Sequence, residues 1–240
     1  YTSNAPLWQW MADYARDKGL GLHIHVSETQ AEHQASLDRH GATPIRALDR
    51  FGVWDIRAIA AHCVWTTPED WAIMAEKGIA CAHNPVSNRK RGSGVAPIPD
   101  MLRAGVNVAL GTDGVASNNA TDLFGEMKFA ATIHPGVRRD PLAIRPMDVL
   151  RMATCDGAKA LGRKAGRIQP GYIADLILVD FHRPNLTPCH SAADNLVYSA
   201  TGRDVVMTMA RGKVLYKDGI FFTLDLERIR REVETYALPL

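Results

Sequence analysis

Long apolar runs are missing from this chain, and so is any lopsided charge. No stretch approaches the roughly 18 apolar residues that cross a bilayer, and no signal-peptide pattern is visible, although the chain opens on Tyr1 and begins like the middle of a protein. The 28 Lys and Arg nearly balance 26 Asp and Glu, for a formal net charge of +2, so the totals favour neither nucleic acid nor an anionic membrane as partner. Arg89-Lys90-Arg91 is the local exception. Cysteine is scarce too. Cys63, Cys81, Cys155 and Cys189 show no C-x-x-C spacing, which argues against a disulfide scaffold and for a reduced, cytoplasmic setting. What the chain does have is apolar content, 46% over 240 residues, ample for a packed core.

That content is arranged in short strands and helices. Residues 6–18 space Leu7, Trp8, Met11, Tyr14 and Ala15 as an amphipathic helix that Gly19 ends. A strand follows at Leu20, then helical, polar-rich sequence over 29–51 and a strand ending at His62. Thr67-Pro68 caps a helix over 68–77, and a further strand ends at His83. A long loop with Pro85, Gly92, Gly94, Pro97 and Pro99 leads to a short helix at 101–104 and a strand ending at Asp113. Helices over 122–132 and 146–161 complete an alternation that predicts parallel βα units. From Ala165 the texture changes to short strands (174–180, 205–210, 213–216) with turn signals at Gly212 and Asp218-Gly219, and a terminal helix spans 224–236.

Polar groups converge at one end of the four strands. Gly111-Thr112-Asp113-Gly114 closes an apolar run and delivers a carboxylate to the strand's C-terminal rim, where α/β barrels do their chemistry. His23-Ile24-His25-Val26-Ser27-Glu28, His62 and His83 end the other three runs in the same way. His25 and Asp113 are ligand types that Zn²⁺ accepts, and mixed nitrogen and oxygen ligation also suits Fe²⁺ or Mn²⁺. Glu28, just past its strand, is placed either to shuttle a proton between an activated water and a substrate or to sit in a helix's first turn. His62 is placed to hold or polarise the attacking hydroxide, and His23 reads as packing or support.

These stretches, with Ala82-His83-Asn84-Pro85-Val86-Ser87-Asn88, Gly111 through Asn119 and Pro170-Gly171-Tyr172-Ile173-Ala174-Asp175-Leu176, resemble the amidohydrolase superfamily. Within it they are similar to adenosine-type deaminases acting on 5'-methylthioadenosine and S-adenosylhomocysteine. The resemblance implies an α/β fold: the C-terminal half of a (β/α)₈ barrel, strands five to eight, over residues 1–164, then part of a small β-sandwich over 165–223 and a terminal helix over 224–240. It implies one divalent metal held by His25 and Asp113, catalysis by Glu28, His62 and Asp113, and a nucleoside pocket touched by His83 and Ser117. A homo-oligomer is also implied.

Two departures stand out. The family usually has leucines where this chain has Arg89 and Arg91, and its first-strand His-x-His pair is absent. Four strands make half a barrel, so the expectation is the C-terminal portion of a protein of roughly 400 residues or more, with the N-terminal half missing. A chlorohydrolase or guanine-type deaminase of the same superfamily, and a non-catalytic half-barrel remnant, are the alternatives.

Overall fold

Several helices in this chain begin where a side chain replaces a missing backbone partner. The structure, a computed structural model, describes residues 3–238, so the outer ends of the first and last expected units (1, 2, 239 and 240) lie outside the described residues. Helix α1 (Ala5–Asp17) starts at Asn4, whose Oδ1 accepts the Leu7 N–H at 3.1 Å. After β1 (Leu22–Val26), Thr29 caps α2 (Gln30–His40) and Thr43 caps α3 (Pro44–Arg50). The stretch read as one helical region is thus two helices, divided where Gly41 takes a left-handed conformation at φ 61°. Then come β2 (Ala58–His62), α4 (Pro68–Glu76) with a Thr67/Asp70 capping box, and β3 (Ala80–His83).

The segment after His83 corrects the sequence reading. Its first part is not loop but a helix, α5 (Pro85–Lys90), because Pro85 stands at the first helical position, where its missing N–H costs nothing. Elements α6 (Ile98–Arg103), β4 (Val108–Leu110), α7 (Val115–Asn118) and α8 (Leu123–Arg138) follow. The helix expected over 146–161 breaks into α9 (Pro146–Met152) and α10 (Cys155–Ala160). Beyond them lie β5 (Leu176–Val179), α11 (Ala192–Tyr198), β6 (Val205–Ala210), β7 (Lys213–Lys217), β8 (Ile220–Phe221) and α12 (Leu226–Glu232).

Strands β1 to β4 form one parallel sheet in chain order, and its two faces differ in kind. Alternation sends Ala58, Ala60, Cys81 and Val108 to one side, against Ile45, Trp54, Met74, Ile79, Ile98 and Met101 from the helices; this is the main core. On the other side the register aligns His25, Ala61, Ala82 and Ala109 in a row, with Ile59, Ala80 and Ala160 beside them. That face is built of small side chains, and at its β1 edge His23 and His25 are exposed.

Strands β5 to β8 form a separate antiparallel sheet. Its hairpins turn at Arg211-Gly212 and Asp218-Gly219, each pair with positive φ at both residues, as tight two-residue turns between right-twisted strands require. Val179, Phe181 and Val205 pack this sheet onto the main core. Among the described residues no helix is long and apolar enough to cross a membrane.

Trp54 is 1% exposed and its Nε1 donates to Ile45 O at 2.8 Å, so it both fills the core and ties α3 to the following loop. Replacing Trp54 with Ala is expected to cost about 3–5 kcal/mol, read as a lower midpoint in urea denaturation.

Candidate metal and catalytic site

The candidate side chains are aimed by unusual backbone at the strand ends. Ser27 (φ 54°), His62 (φ 76°), Cys63 (φ 49°) and Asp113 (φ 60°) all adopt left-handed conformations, which cost a non-glycine residue of order 1 kcal/mol or more. At β1 the turn is braced by Glu32: its carboxylate accepts the N–H of Ser27 at 2.9 Å and of Glu28 at 2.8 Å, fixing where Glu28 leaves the strand. At β2, alternation alone would send His62 to the face opposite Ala61. The left-handed turn redirects it, and its ring stacks on that of His25 with centroids 5.3 Å apart.

At β4, Gly111 is required by space: a Cβ there would lie 2.5 Å from Asn84 Oδ1. Two residues on, Asp113 is gripped at both oxygens, Oδ1 accepting the Gly114 N–H at 2.7 Å and Oδ2 the Ser87 hydroxyl at 2.5 Å. Burial pushes its carboxyl upward, but these hydrogen bonds and the nearby His62 and His25 outweigh burial and hold it below the usual carboxylate range. The Asp113 loop is pinned in turn by Asn118, whose Nδ2 donates to Thr112 O at 2.6 Å and to the buried Glu126 at 2.5 Å.

The result is a compact cluster. Donor atoms of His25, His62 and Asp113 lie within 4.8 Å of one another. Two imidazoles and a carboxylate are a donor set that zinc takes at catalytic centres, where three protein ligands leave a position open. His62 therefore stands with the two residues expected to be ligands. Its Nδ1 lies 2.8 Å from Asn88 Oδ1, an atom that only accepts, so Nδ1 carries a proton and in the neutral ring Nε2 is the free nitrogen. That Nε2 is 3.9 Å from Glu28 Oε2, and Glu28 is 3% exposed. In front of the cluster lies an open hollow of about 700 Å³, lined by His23, His25, Ala82, Asn84 and Asp113 among others.

Ser117 and His83, the two residues expected in the pocket, are not among the clustered side chains. Ser117 lies half-buried on α7, four residues beyond Asp113. His83 is 1% exposed and turns to α8, its Nε2 3.2 Å from Nε2 of the buried His134. Burial first, then the neighbouring His134 and His62, pushes the His83 imidazole well below its ordinary range, and burial takes His134 down to about 4. The sequence reading did not assign Glu32, Ser87, Asn88, Ser93 or His134. Ser87 and Asn88 stood inside a quoted motif, but with α5 read as loop nothing indicated that they face His62 and Asp113.

Over residues 1–215 the sequence matches the Amidohydrolase family, and the chain belongs to it. A 5'-deoxyadenosine deaminase of Methanosarcina mazei is 47% identical over 93% of this chain and 52% of its own length. A 5-methylthioadenosine/S-adenosylhomocysteine deaminase of Dictyoglomus thermophilum is 44% identical over 100% of this chain and 57% of its own. The crystal structure of an adenosine deaminase from Xanthomonas campestris with bound zinc superposes with a TM-score of 0.94 at 33% identity, covering 98% of this chain and 54% of that one. The chain thus spans about half the length of the curated relatives it matches.

The depressed imidazole of His134 has a consequence for acid stability. With a native pKa of about 4 against an ordinary 6.5, the unfolded chain takes up this proton first. Its contribution is whole above about pH 6.5 and falls on acidification by about 1.4 kcal/mol per pH unit until about pH 4. His134→Gln is expected to flatten that part of the curve, measured as urea midpoint against pH.

Proposed function

We propose that this chain is the C-terminal part of a metal-dependent aminohydrolase that converts an adenosine derivative to the inosine derivative and ammonia. The observation that carries this reading is the meeting of His25, His62 and Asp113 within 4.8 Å beside the buried Glu28. The names of the similar proteins support the substrate class: 5'-deoxyadenosine, 5'-methylthioadenosine and S-adenosylhomocysteine. In this reading β1 to β4 are strands five to eight of an eight-stranded barrel, residues 1–164 forming its C-terminal half. Residues 165–223 are a share of a β-sandwich and 224–240 a terminal helix. The strand order, the exposed imidazoles at the β1 edge and the half-length match to relatives support it. The preceding half of the protein then covers the alanine-lined face and brings the family's His-x-His pair.

His25 and Asp113 are the residues that would hold the metal, and His62 faces the same point. A zinc bound there would supply Lewis acidity, which lowers the pKa of a coordinated water to about 7. Glu28 takes one proton from the water that adds to purine C6 and delivers it to the ring nitrogen N1, and the proton left on the added oxygen passes to the exocyclic amino group, so that the C–N bond breaks, ammonia departs and the keto form remains. His62, with its proton on Nδ1, offers Nε2 as an acceptor that orients the water. Asp113 stays charged because Ser87 and Gly114 donate to it. Ser117, at the rim, is the pocket residue nearest to Asp113 in sequence, and His83 supports the strand end from within the core.

The test is turnover by the full-length, metal-loaded protein, followed by ultraviolet absorbance with S-adenosylhomocysteine, 5'-methylthioadenosine, 5'-deoxyadenosine, adenosine and guanine. Conversion of an adenosine derivative is expected; guanine turnover alone moves the protein to the guanine-type class, and no turnover at all removes the deaminase reading. Glu28→Gln is expected to keep its metal and lose about 10²-fold or more in kcat, whereas Asp113→Ala loses metal and activity together. Asn88→Leu removes the acceptor that sets the His62 tautomer, and a loss of about 10–100-fold in turnover is expected.

A further inference from the structure

Two side chains of the basic run Arg89-Lys90-Arg91 have defined tasks. Lys90 ties α5 to α7, its Nζ donating to Ala116 O at 3.2 Å and to Asn119 Oδ1. Arg91 caps the C-terminus of α5 and turns the other way. Its Nε lies 3.2 Å from Glu28 Oε1, and the Ser93 hydroxyl approaches the same oxygen at 3.5 Å. The second carboxylate oxygen, Oε2, is the one that faces His62.

We propose that Arg91 is a positioning residue for the Glu28 carboxylate: by engaging Oε1 at the mouth of the site it holds Oε2 toward His62 and the attacking water. The proposal deepens the functional reading above and rests on Glu28 being the proton shuttle.

Four features carry it. A carboxylate that is 3% exposed is costly unless paired, and a charge-assisted contact to one oxygen restricts rotation of the carboxylate plane, so that the other oxygen stays aimed at His62. The segment that presents Arg91 is itself rigid. Arg91 N donates to Ser87 O at 2.9 Å, Ser93 N to Asn88 O at 2.8 Å, and Trp65 Nε1 to Ser93 O at 2.9 Å. Gly94, at φ 123°, lets this loop press on Val64, since a Cβ there would lie 2.9 Å from Val64 Cγ1. At the far end of the side chain, Glu32 holds the Glu28 backbone, so both ends of Glu28 are fixed by different elements. Finally, the Arg91 side chain is 52% exposed while its partner is buried. A guanidinium can donate inward through Nε and still keep its other N–H donors in water.

The experiment uses the full-length, zinc-loaded protein with Arg91→Ala and Arg91→Lys. For Arg91→Ala, a kcat lower by about tenfold or more is expected, within the range that positioned proton transfer contributes, with KM changed by less than about threefold and zinc content unaltered. Because the vacated position is open to solvent, added guanidinium ion is expected to restore kcat and the neutral isostere urea is not. Arg91→Lys should fall between wild type and Arg91→Ala. A kcat for Arg91→Ala within twofold of wild type overturns the proposal, as does a loss that guanidinium fails to restore in a folded, zinc-loaded variant. Crystal structures give a readout independent of turnover: the Glu28 carboxylate is expected to rotate in Arg91→Ala, and an unmoved carboxylate overturns the proposal. If wild type turns over no adenosine derivative, the shuttle reading fails by itself, while the crystallographic comparison still decides whether Arg91 holds the carboxylate.

Discussion

The chemistry available to this site depends on which nitrogen of His62 carries its proton, and that is decided by Asn88. An amide oxygen can only accept, so the 2.8 Å contact to Nδ1 draws a ring proton there and, in the neutral ring, leaves Nε2 as the free nitrogen facing the point that His25, Asp113 and Glu28 share. The contact exists because α5 begins immediately after β3 and projects Asn88 back across the sheet's end. The same short segment also sends Ser87 to Asp113 and, a turn later, Ser93 to Glu28. Residues 87–93 therefore set the orientation of three groups that come from three different strands. Mounting these contacts on a helix and its tightly hydrogen-bonded exit makes the arrangement rigid without help from the groups themselves.

Such an arrangement is sustained from elsewhere. Left-handed residues at three strand ends and buried ionisable side chains are unfavourable taken singly, and the opposite side of the sheet offsets them with Trp54, Met74, Ile98 and Met101 packed among helices, of which α3 and α4 start at threonine caps. The two faces of one sheet thus divide the work: one packs large side chains into a core, the other keeps its alanines low behind the cluster.

The strand ends were legible in the sequence because a buried parallel strand is a short apolar run, and a His, Glu or Asp closing such a run is conspicuous. Glu28, His62 and Asp113 all stand out that way, and the hairpins at Arg211-Gly212 and Asp218-Gly219 follow from turn chemistry. Less visible was anything set by a third dimension. Pro85, Gly92 and Gly94 punctuate the chain like a loop, hiding α5 and with it the contacts of Ser87 and Asn88. His83 looks from the sequence like its neighbours at strand ends, yet β3 alternation turns it inward to His134, fifty-one positions away. The aim of His62 was invisible for a similar reason, since period-two alternation gives the wrong face and a single positive φ corrects it.

Those positive φ values also bear on how the chain can vary over time. At Ser27, His62, Cys63 and Asp113 a replacement must satisfy the backbone before it can satisfy the chemistry, and the conformation disfavours every β-branched side chain while tolerating glycine, asparagine, aspartate and histidine. A drifting lineage can therefore exchange rim residues such as Arg89 with little restriction, but at the strand ends its accessible alphabet is short, and much of it still consists of residues able to bind a metal or a proton.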